Sequence, residues 1–211
     1  MKFHFLPGFR NIAFLLVLTV FMLPTAWCAT LVVANKAEAT ASLINLKTGE
    51  VVATLPTGDG PHEVGVSPDG KHALVTNYRS DKGVGNTLTL IDITTASVAK
   101  TIDLGEYKAP HGVEWIDDNL AAVTVEHNQA LVIVDVSKGE IVKSIGTEQR
   151  VSHMVELDPK GQRAYVANIG SGSVSVLHLE SGELAANIPT GDGAEGVAVA
   201  ASGQVWVTNR A

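Results

Sequence analysis

The chain is poor in cysteine, with Cys28 as the single example among 211 residues. A disulfide framework and a Cys-x-x-Cys-His haem attachment are therefore excluded, and stability must come from packing. Basic runs are lacking as well, since 15 Lys and Arg stand against 22 Asp and Glu. This balance argues against nucleic acid and against anionic membrane surfaces as partners. No Ser-His-Asp spacing, nucleophile elbow or phosphate loop is found in the sequence.

Long apolar runs are also missing, except near the N-terminus. Residues 1–28 carry Lys2 and Arg10, no acidic residue, and the run IAFLLVLTVFML followed by small residues. We therefore predict a secretory signal peptide, cleaved after Cys28 or Ala29, and an exported protein, periplasmic or secreted. No membrane span is expected once the signal is removed. The remaining 13 basic and 22 acidic residues give the mature chain a net charge of −9.

What the mature sequence does contain is a repeat. The phrase PHEVGVSPDGKHALVTNY returns in related form three times, with opening positions occupied by His62, His111, His153 and Glu195, spaced by 49, 42 and 42 residues. Each full unit has four short apolar runs with period-2 alternation, separated by turns of the Pro-Asp-Gly or Lys-Gly-Glu kind, which predicts four β-strands. Seven extra residues of the first interval are expected in a loop over 79–86. Four antiparallel strands about every 42 residues are typical of the blades of a β-propeller.

The count of strands predicts an all-β, partial propeller of about four blades and a fraction. The expected domains are a signal peptide over 1–28 and a repeat domain over 29–211. Within the latter, a three-stranded start, three complete blades and a two-stranded end are predicted over 30–58, 61–105, 110–147, 152–190 and 195–211. Propellers close with four to eight blades. We therefore expect the chain to be an N-terminal fragment of a longer propeller, ending inside a blade.

The ends of the second strands carry a family resemblance. LVTN (74–77), YVAN (165–168) and WVTN (206–209) each follow a short turn, and they resemble the YVTN-repeat β-propeller family, in which YncE-like exported propellers and lactonase-type propellers are relatives. The resemblance implies the fold. For function it implies a choice among binding proteins, redox-cofactor carriers and lactone hydrolases. The motif is broken by Glu126, which stands where the other units have asparagine.

Recurring polar residues at the strand ends are predicted to be structural. The asparagines are expected to bind neighbouring backbone and to permit a left-handed turn; they are Asn35, Asn77, Asn168 and Asn209. A second set ends the third strands and is expected to cap turns rather than to bind ligands; it consists of Asn45, Asp92, Asp135 and His178.

The opening histidines are the candidate binding residues. If the first strand of every blade is innermost, its starting residues form a ring at one mouth of the channel. His62, His111, His153 and Glu195 are therefore predicted to contact a ligand, with Glu126, His127 and Asp81 on loops at a related level. Three imidazoles suit Zn²⁺ or another late first-row ion, so a divalent metal held by the histidines is the one cofactor that the pattern suggests. The alternative is that each copy makes the same hydrogen bond between blades.

Two functions are compatible with this ring. The first is an exported binding or scaffold module that takes a small molecule or a protein at the channel mouth. The second is a periplasmic lactone hydrolase, as the lactonase-type relatives imply, with Glu114 and Glu156 on inner strands as catalytic candidates that polarise water.

Overall fold

The computed structural model describes residues 29–211, so the predicted signal peptide lies outside the described residues. Five antiparallel sheets follow one another along the chain. The first sheet contains β1 (Thr30–Asn35), β2 (Thr40–Asn45) and β3 (Val51–Pro56). The second contains β4 (Pro61–Val66), β5 (His72–Ser80), β6 (Gly83–Asp92) and β7 (Ser97–Asp103). The third contains β8 (Pro110–Trp115), β9 (Leu120–Val125), β10 (Ala130–Asp135) and β11 (Glu140–Gly146).

The fourth sheet contains β12 (Ser152–Leu157), β13 (Arg163–Asn168), β14 (Ser173–His178) and β15 (Glu183–Pro189), and the fifth contains β16 (Ala194–Val199) and β17 (Val205–Asn209). Two short 3₁₀ turns cover Lys36–Glu38 and Glu126–Asn128. Each sheet pairs its strands in chain order, so the predicted all-β fold with four-stranded blades is confirmed. No helix within residues 29–211 has the length and apolar character needed to cross a membrane.

The hydrophobic core lies between the sheets, because alternate residues of a strand point to opposite faces. Val132 and Val134 of β10 pack towards the second sheet, in a cluster that includes Leu74 and Leu88. Leu131 and Ile133 of the same strand pack towards the fourth sheet, against Val155, Val166 and Leu177. The period-2 pattern of the sequence therefore gives each central sheet two apolar faces, one for each neighbour.

The first strands form the inner layer of this stack. β4 contacts β1 and β8, β8 contacts β12, and β12 contacts β16. Between the second and third sheets, the Trp115 indole N–H donates to the carbonyl of Gly65 at 2.9 Å. A Cβ at Gly65 would lie 3.2 Å from Trp115 Cδ1, so glycine allows the close approach of the two inner strands.

Two of the expected details are wrong. The extra residues over 79–86 extend a hairpin rather than form a loop, because Arg79 pairs with Val84 and Ser80 with Gly83. None of the four strand-end asparagines has a positive φ. The expected bonds to backbone form for Asn168 and Asn209, which donate to the carbonyls of Val166 and Ser173 and of Thr190. Asn35 and Asn77 donate to hydroxyls of the neighbouring strand, as Asn77 does to Thr87 and Thr89 at 2.9 and 3.1 Å.

Turn capping at the ends of the third strands holds for three residues of four. The Asp92 carboxylate accepts the backbone N–H groups of Thr94 and Thr95 at 2.8 and 3.0 Å. Asp135 and Asn45 accept backbone N–H groups in the same way. For His178 the described residues give no such side-chain bond, since an imidazole is too long for this tight turn.

Candidate functional site

The same backbone hydrogen bond recurs at the start of each inner strand. The residue before the strand has a left-handed conformation. Its carbonyl accepts the N–H of the residue directly after the one that pairs with the first residue of the strand. These four donor–acceptor pairs are Tyr78–Gly60, Glu126–Ala109, Ile169–Val151 and Arg210–Gly193, at 3.0 to 3.1 Å. Ala109 and Val151 have φ values of 56° and 57°. Because non-glycine residues are strained there, the surrounding structure must hold this backbone in place.

The strand register shows that Glu126 was assigned to the wrong position of the repeat. In the second sheet Asn77 pairs with Pro61, whereas in the third sheet Val125 pairs with Pro110. The turn between the first two strands is one residue shorter in the third sheet, so the constant offset in sequence misaligned this unit. Glu126 therefore does not replace an asparagine; it is the first residue beyond the strand.

A β-bulge at the start of each inner strand sets the direction of the histidine side chain. In β4 the register leaves His62 and Glu63 without partners on the neighbouring strand, and such a bulge redirects side chains. Thr76 fixes the bulge, since its hydroxyl accepts the N–H of Glu63 at 3.0 Å and donates to the carbonyl of His111 at 2.9 Å. Thr124 makes the equivalent pair of bonds one sheet further along. Each sheet thus positions the histidine backbone of the next.

The structure brings the predicted side chains together. The ring centroids of His62 and His111 lie 4.2 Å apart, and those of His111 and His153 lie 3.7 Å apart. Glu195 extends this row, with its Oε1 3.8 Å from His153 Nε2. We call these four residues, together with Tyr78 and Glu126, the mouth cluster.

Glu126 is the functional candidate that the repeat pattern undervalued. Its Oε2 accepts the Tyr78 hydroxyl at 2.5 Å, and its Oε1 lies 2.6 Å from His153 Nδ1. Burial alone would raise the pKa of Glu126, but the hydrogen bonds from His153 and Tyr78 outweigh it and the pKa is lowered. The loss of the asparagine motif was the one sequence signal that pointed to this residue.

Tyr78 shows the complementary effect. Burial, followed by the hydrogen bond to Glu126, raises the pKa of Tyr78 to about 12. The phenol therefore stays protonated and donates to the carboxylate. Its ring also lies 5.1 Å from the rings of both His62 and His111, so it packs under the imidazoles while it holds the carboxylate.

His111 is the most buried member of the mouth cluster, at 2% exposure. Burial, with smaller contributions from His153, His62 and Lys36, lowers the pKa of His111 to about 2, so its imidazole is neutral. His111 Nδ1 is buried and has no hydrogen-bond partner. Burial and the charge of Lys36 also lower the pKa of His62.

Cationic side chains surround the mouth cluster. Lys36 Nζ and the Arg79 guanidinium lie 5.3 and 5.1 Å from the Tyr78 ring centroid. Arg210 lies 3.3 Å from Glu195 Oε1. By contrast His127 and Asp81, which were expected at this level, are exposed at turns.

The other predicted acidic residues lie further along the inner strands, three positions beyond His111 and His153. Burial, followed by the charge of Glu156, raises the pKa of Glu114 to about 7. Burial also raises the pKa of Glu156. Glu114 and Glu156 lie within β8 and β12, and neither belongs to the mouth cluster.

Two overlapping groups of side chains have the composition and spacing of metal ligands. The first is His62, Glu63 and His111, and the second is His111, Glu126 and His153; within each group one donor atom per residue lies within 4.8 Å of the others. Two imidazoles with a carboxylate form a ligand set that binds Zn²⁺ and leaves a coordination position open.

Comparisons with known proteins agree with the fold. The YNCE-like beta-propeller family matches residues 26–121. Hydrazine synthase of Kuenenia stuttgartiensis is similar in structure, with a TM-score of 0.74 and 24% identity over 84% of this chain and 51% of that one. A functionally unknown protein from Desulfotomaculum acetoxidans has a TM-score of 0.74 and 16% identity over 86% of this chain and 60% of its own. The chain thus spans about half to three fifths of these structures. No curated protein sequence matches it.

Proposed function

Because residues 26–121 match the YNCE-like β-propeller family and the sheets form the blades of a partial propeller, we propose that the chain is an exported binding module whose small-molecule ligand is bound by the mouth cluster. The observation that carries this proposal is the convergence of equivalent residues from successive sheets. His62, His111 and His153 each occupy the second position of an inner strand, and the His111 ring lies against the rings of the other two.

The chemistry of the mouth favours a ligand with oxygen donors. The imidazoles offer ring nitrogens as hydrogen-bond donors and acceptors, while Lys36, Arg79 and Arg210 supply positive charge around them. Hydroxy-carboxylates combine hydroxyl and carboxylate oxygens in one small molecule, and they match both features. Lactones are the cyclic esters of hydroxy-carboxylates. A comparison of the two classes therefore distinguishes binding from hydrolysis, because only the lactones can be hydrolysed.

The test uses the full chain with a panel of lactones and the corresponding open hydroxy acids. Calorimetry should give saturable binding of hydroxy acids without turnover of lactones. The affinity should fall in a His62→Ala/His153→Ala variant and stay unchanged in His178→Ala, a histidine at the end of β14. An unchanged affinity in the His62→Ala/His153→Ala variant would overturn the proposal. So would the absence of saturable binding for both hydroxy acids and lactones.

A lactone hydrolase is the second candidate, and the Glu114 carboxyl supports it, because a pKa of about 7 suits a general acid or base near neutral pH. The same panel tests it. Turnover that disappears in Glu114→Gln and persists in Glu50→Gln, an exposed glutamate in the β2–β3 turn, would establish the enzyme and replace the binding module.

Export has its own measurement. Intact mass and N-terminal sequencing of the protein from fractionated cells should place the mature N-terminus after Cys28 or Ala29, in the exported fraction. A cytoplasmic chain that retains Met1 would contradict this part of the proposal.

A further inference from the structure

We propose that His111, Glu126 and His153 bind one late first-row divalent cation, represented by Zn²⁺, which anchors the ligand at the channel mouth. The inference deepens the proposed function and rests on it for the role of the ion. The binding of the metal itself can be tested separately, because it needs no organic ligand.

The ligand geometry is close to that of a zinc site. One donor atom from each of the three residues lies within 4.8 Å of the others. Ligand atoms about 2.0–2.2 Å from zinc are roughly 3.4 Å apart at tetrahedral angles. Side-chain rotations that move each donor by about 1 Å would close the group around an ion. Glu195 Oε1, 3.8 Å from His153 Nε2, is within reach as a further oxygen donor.

The unsatisfied nitrogen of His111 gives an independent reason for an ion. His111 is 2% exposed, and its Nδ1 has no hydrogen-bond partner. A buried polar atom without a partner is destabilising, and native proteins rarely leave one unexplained. A metal bound at His111 Nδ1 would satisfy this nitrogen.

The surroundings of Glu126 resemble the outer shell of a metal site. The Tyr78 hydroxyl, which is not one of the three ligands, holds Oε2 at 2.5 Å. A hydrogen bond of this kind orients a ligating carboxylate before the metal arrives. Oε1 lies 2.6 Å from His153 Nδ1, so these two ligands already adjoin each other. Each carboxylate oxygen keeps a second lone pair for the ion.

The overlapping group with His62 and Glu63 is the weaker site. Lys36 acts electrostatically on His62 and Glu63 and also on His111, which both groups share, so the donors around each carboxylate separate the two groups. The Glu126 carboxylate is held by the Tyr78 hydroxyl at 2.5 Å and by His153 Nδ1 at 2.6 Å, whereas among residues 29–211 no hydrogen bond or ion pair holds the Glu63 carboxylate. A cation therefore gains more from the group that contains Glu126 than from the group that contains Glu63.

The experiment titrates the full chain with ZnCl₂ near neutral pH by calorimetry, with Cys28→Ser as the background so that no thiol competes. One ion per chain is expected. Co²⁺ should give the intense visible absorption of a tetrahedral site. His111→Ala, His153→Ala and Glu126→Gln should each weaken Zn²⁺ binding by more than 100-fold, and Tyr78→Phe, which removes only an orienting bond, by about 10- to 100-fold.

Matched controls keep the result decisive. His178→Ala and Glu63→Gln should bind Zn²⁺ as the background does, and circular dichroism should show that every variant is folded. If Glu63→Gln abolishes binding while Glu126→Gln does not, or if zinc binds equally well to all variants, the assignment is wrong. Hydroxy-acid binding without any zinc binding would remove this inference and leave the proposed function in place. Zinc binding without hydroxy-acid binding would leave the metal site in place and remove the proposed function.

Discussion

Glu126 and Glu114 both belong to the third sheet, Glu126 directly after β9 and Glu114 within β8, and the surrounding residues shift their pKa values in opposite directions. Glu126 accepts hydrogen bonds from Tyr78 and His153, and its pKa is lowered. Burial and the neighbouring charge of Glu156 raise the pKa of Glu114 to about 7. Burial opposes ionisation at both positions, so the hydrogen-bond donors decide which carboxylate remains charged.

This difference separates two kinds of chemistry along one channel. The mouth holds a carboxylate whose pKa is lowered by two hydrogen-bond partners, which favours the binding of a cation or of hydrogen-bond donors. Glu114, three positions beyond His111, has its pKa raised to about 7, and a carboxyl group of that pKa suits acid–base chemistry. The following experiments test the contrast, beginning with the largest expected effect.

Replacing each glutamate by glutamine should change stability in opposite directions. Glu126→Gln turns one acceptor oxygen into an amide N–H₂ that opposes a donor, so the free energy of unfolding should fall by about 2 kcal/mol. Glu114→Gln, measured at a pH well above 7, removes a buried charge and should raise it by up to about 1 kcal/mol. Urea denaturation followed by circular dichroism measures both. A loss of similar size in the two variants would contradict the comparison.

The pH dependence of stability should carry the signature of Glu114. Its pKa is raised from 4.5 to about 7 on folding, so the folded state binds more protons between these values. The stabilisation is complete below about pH 4.5 and is lost as the pH rises through 7. The loss should be about 1–2 kcal/mol, less than full linkage predicts, because solvent partly screens the side chain.

Denaturation curves across this range, for the parent chain and for Glu114→Gln, measure that change. The variant should show the shallower dependence. An unchanged slope in Glu114→Gln would assign the titration to another group.

Tyr78→Phe should have a smaller effect on stability and a specific effect on Glu126. Loss of the phenol hydroxyl removes one donor, which should cost about 1 kcal/mol and raise the pKa of Glu126. Carboxyl carbon shifts in an NMR titration report that pKa directly. Tyr165→Phe, on β13 outside the mouth cluster, is the control. If both variants leave Glu126 unchanged, the hydrogen bond does not control its ionisation.

Lys36→Gln should have the smallest effect. The positive charge of Lys36 lowers the pKa of His62, so its removal should raise that pKa while stability changes by less than about 0.5 kcal/mol. The imidazole proton shifts of His62 measure the titration. Lys47→Gln, at an exposed turn, should leave His62 as it is; an equal shift in both variants would point to the net charge rather than to proximity.

The sequence predicted the propeller sheets because period-2 alternation and repeated turns act locally. It also predicted that His62, His111 and His153 lie at equivalent places, since a repeat puts equal residues at equal positions. It misplaced Glu126, because a shorter turn in the third sheet shifts the register by one residue. A constant offset cannot detect a change that only the strand pairing reveals.

By itself, the sequence determined that this chain builds antiparallel blades and that an imidazole opens three inner strands. Only the tertiary structure decided that Tyr78 of one sheet and His153 of another meet on the carboxylate of Glu126, and that His111 keeps a buried nitrogen without a partner. The physical reason is range: strand pattern and turn chemistry are properties of neighbouring residues, whereas the ionisation of a buried side chain depends on donors and charges from other blades.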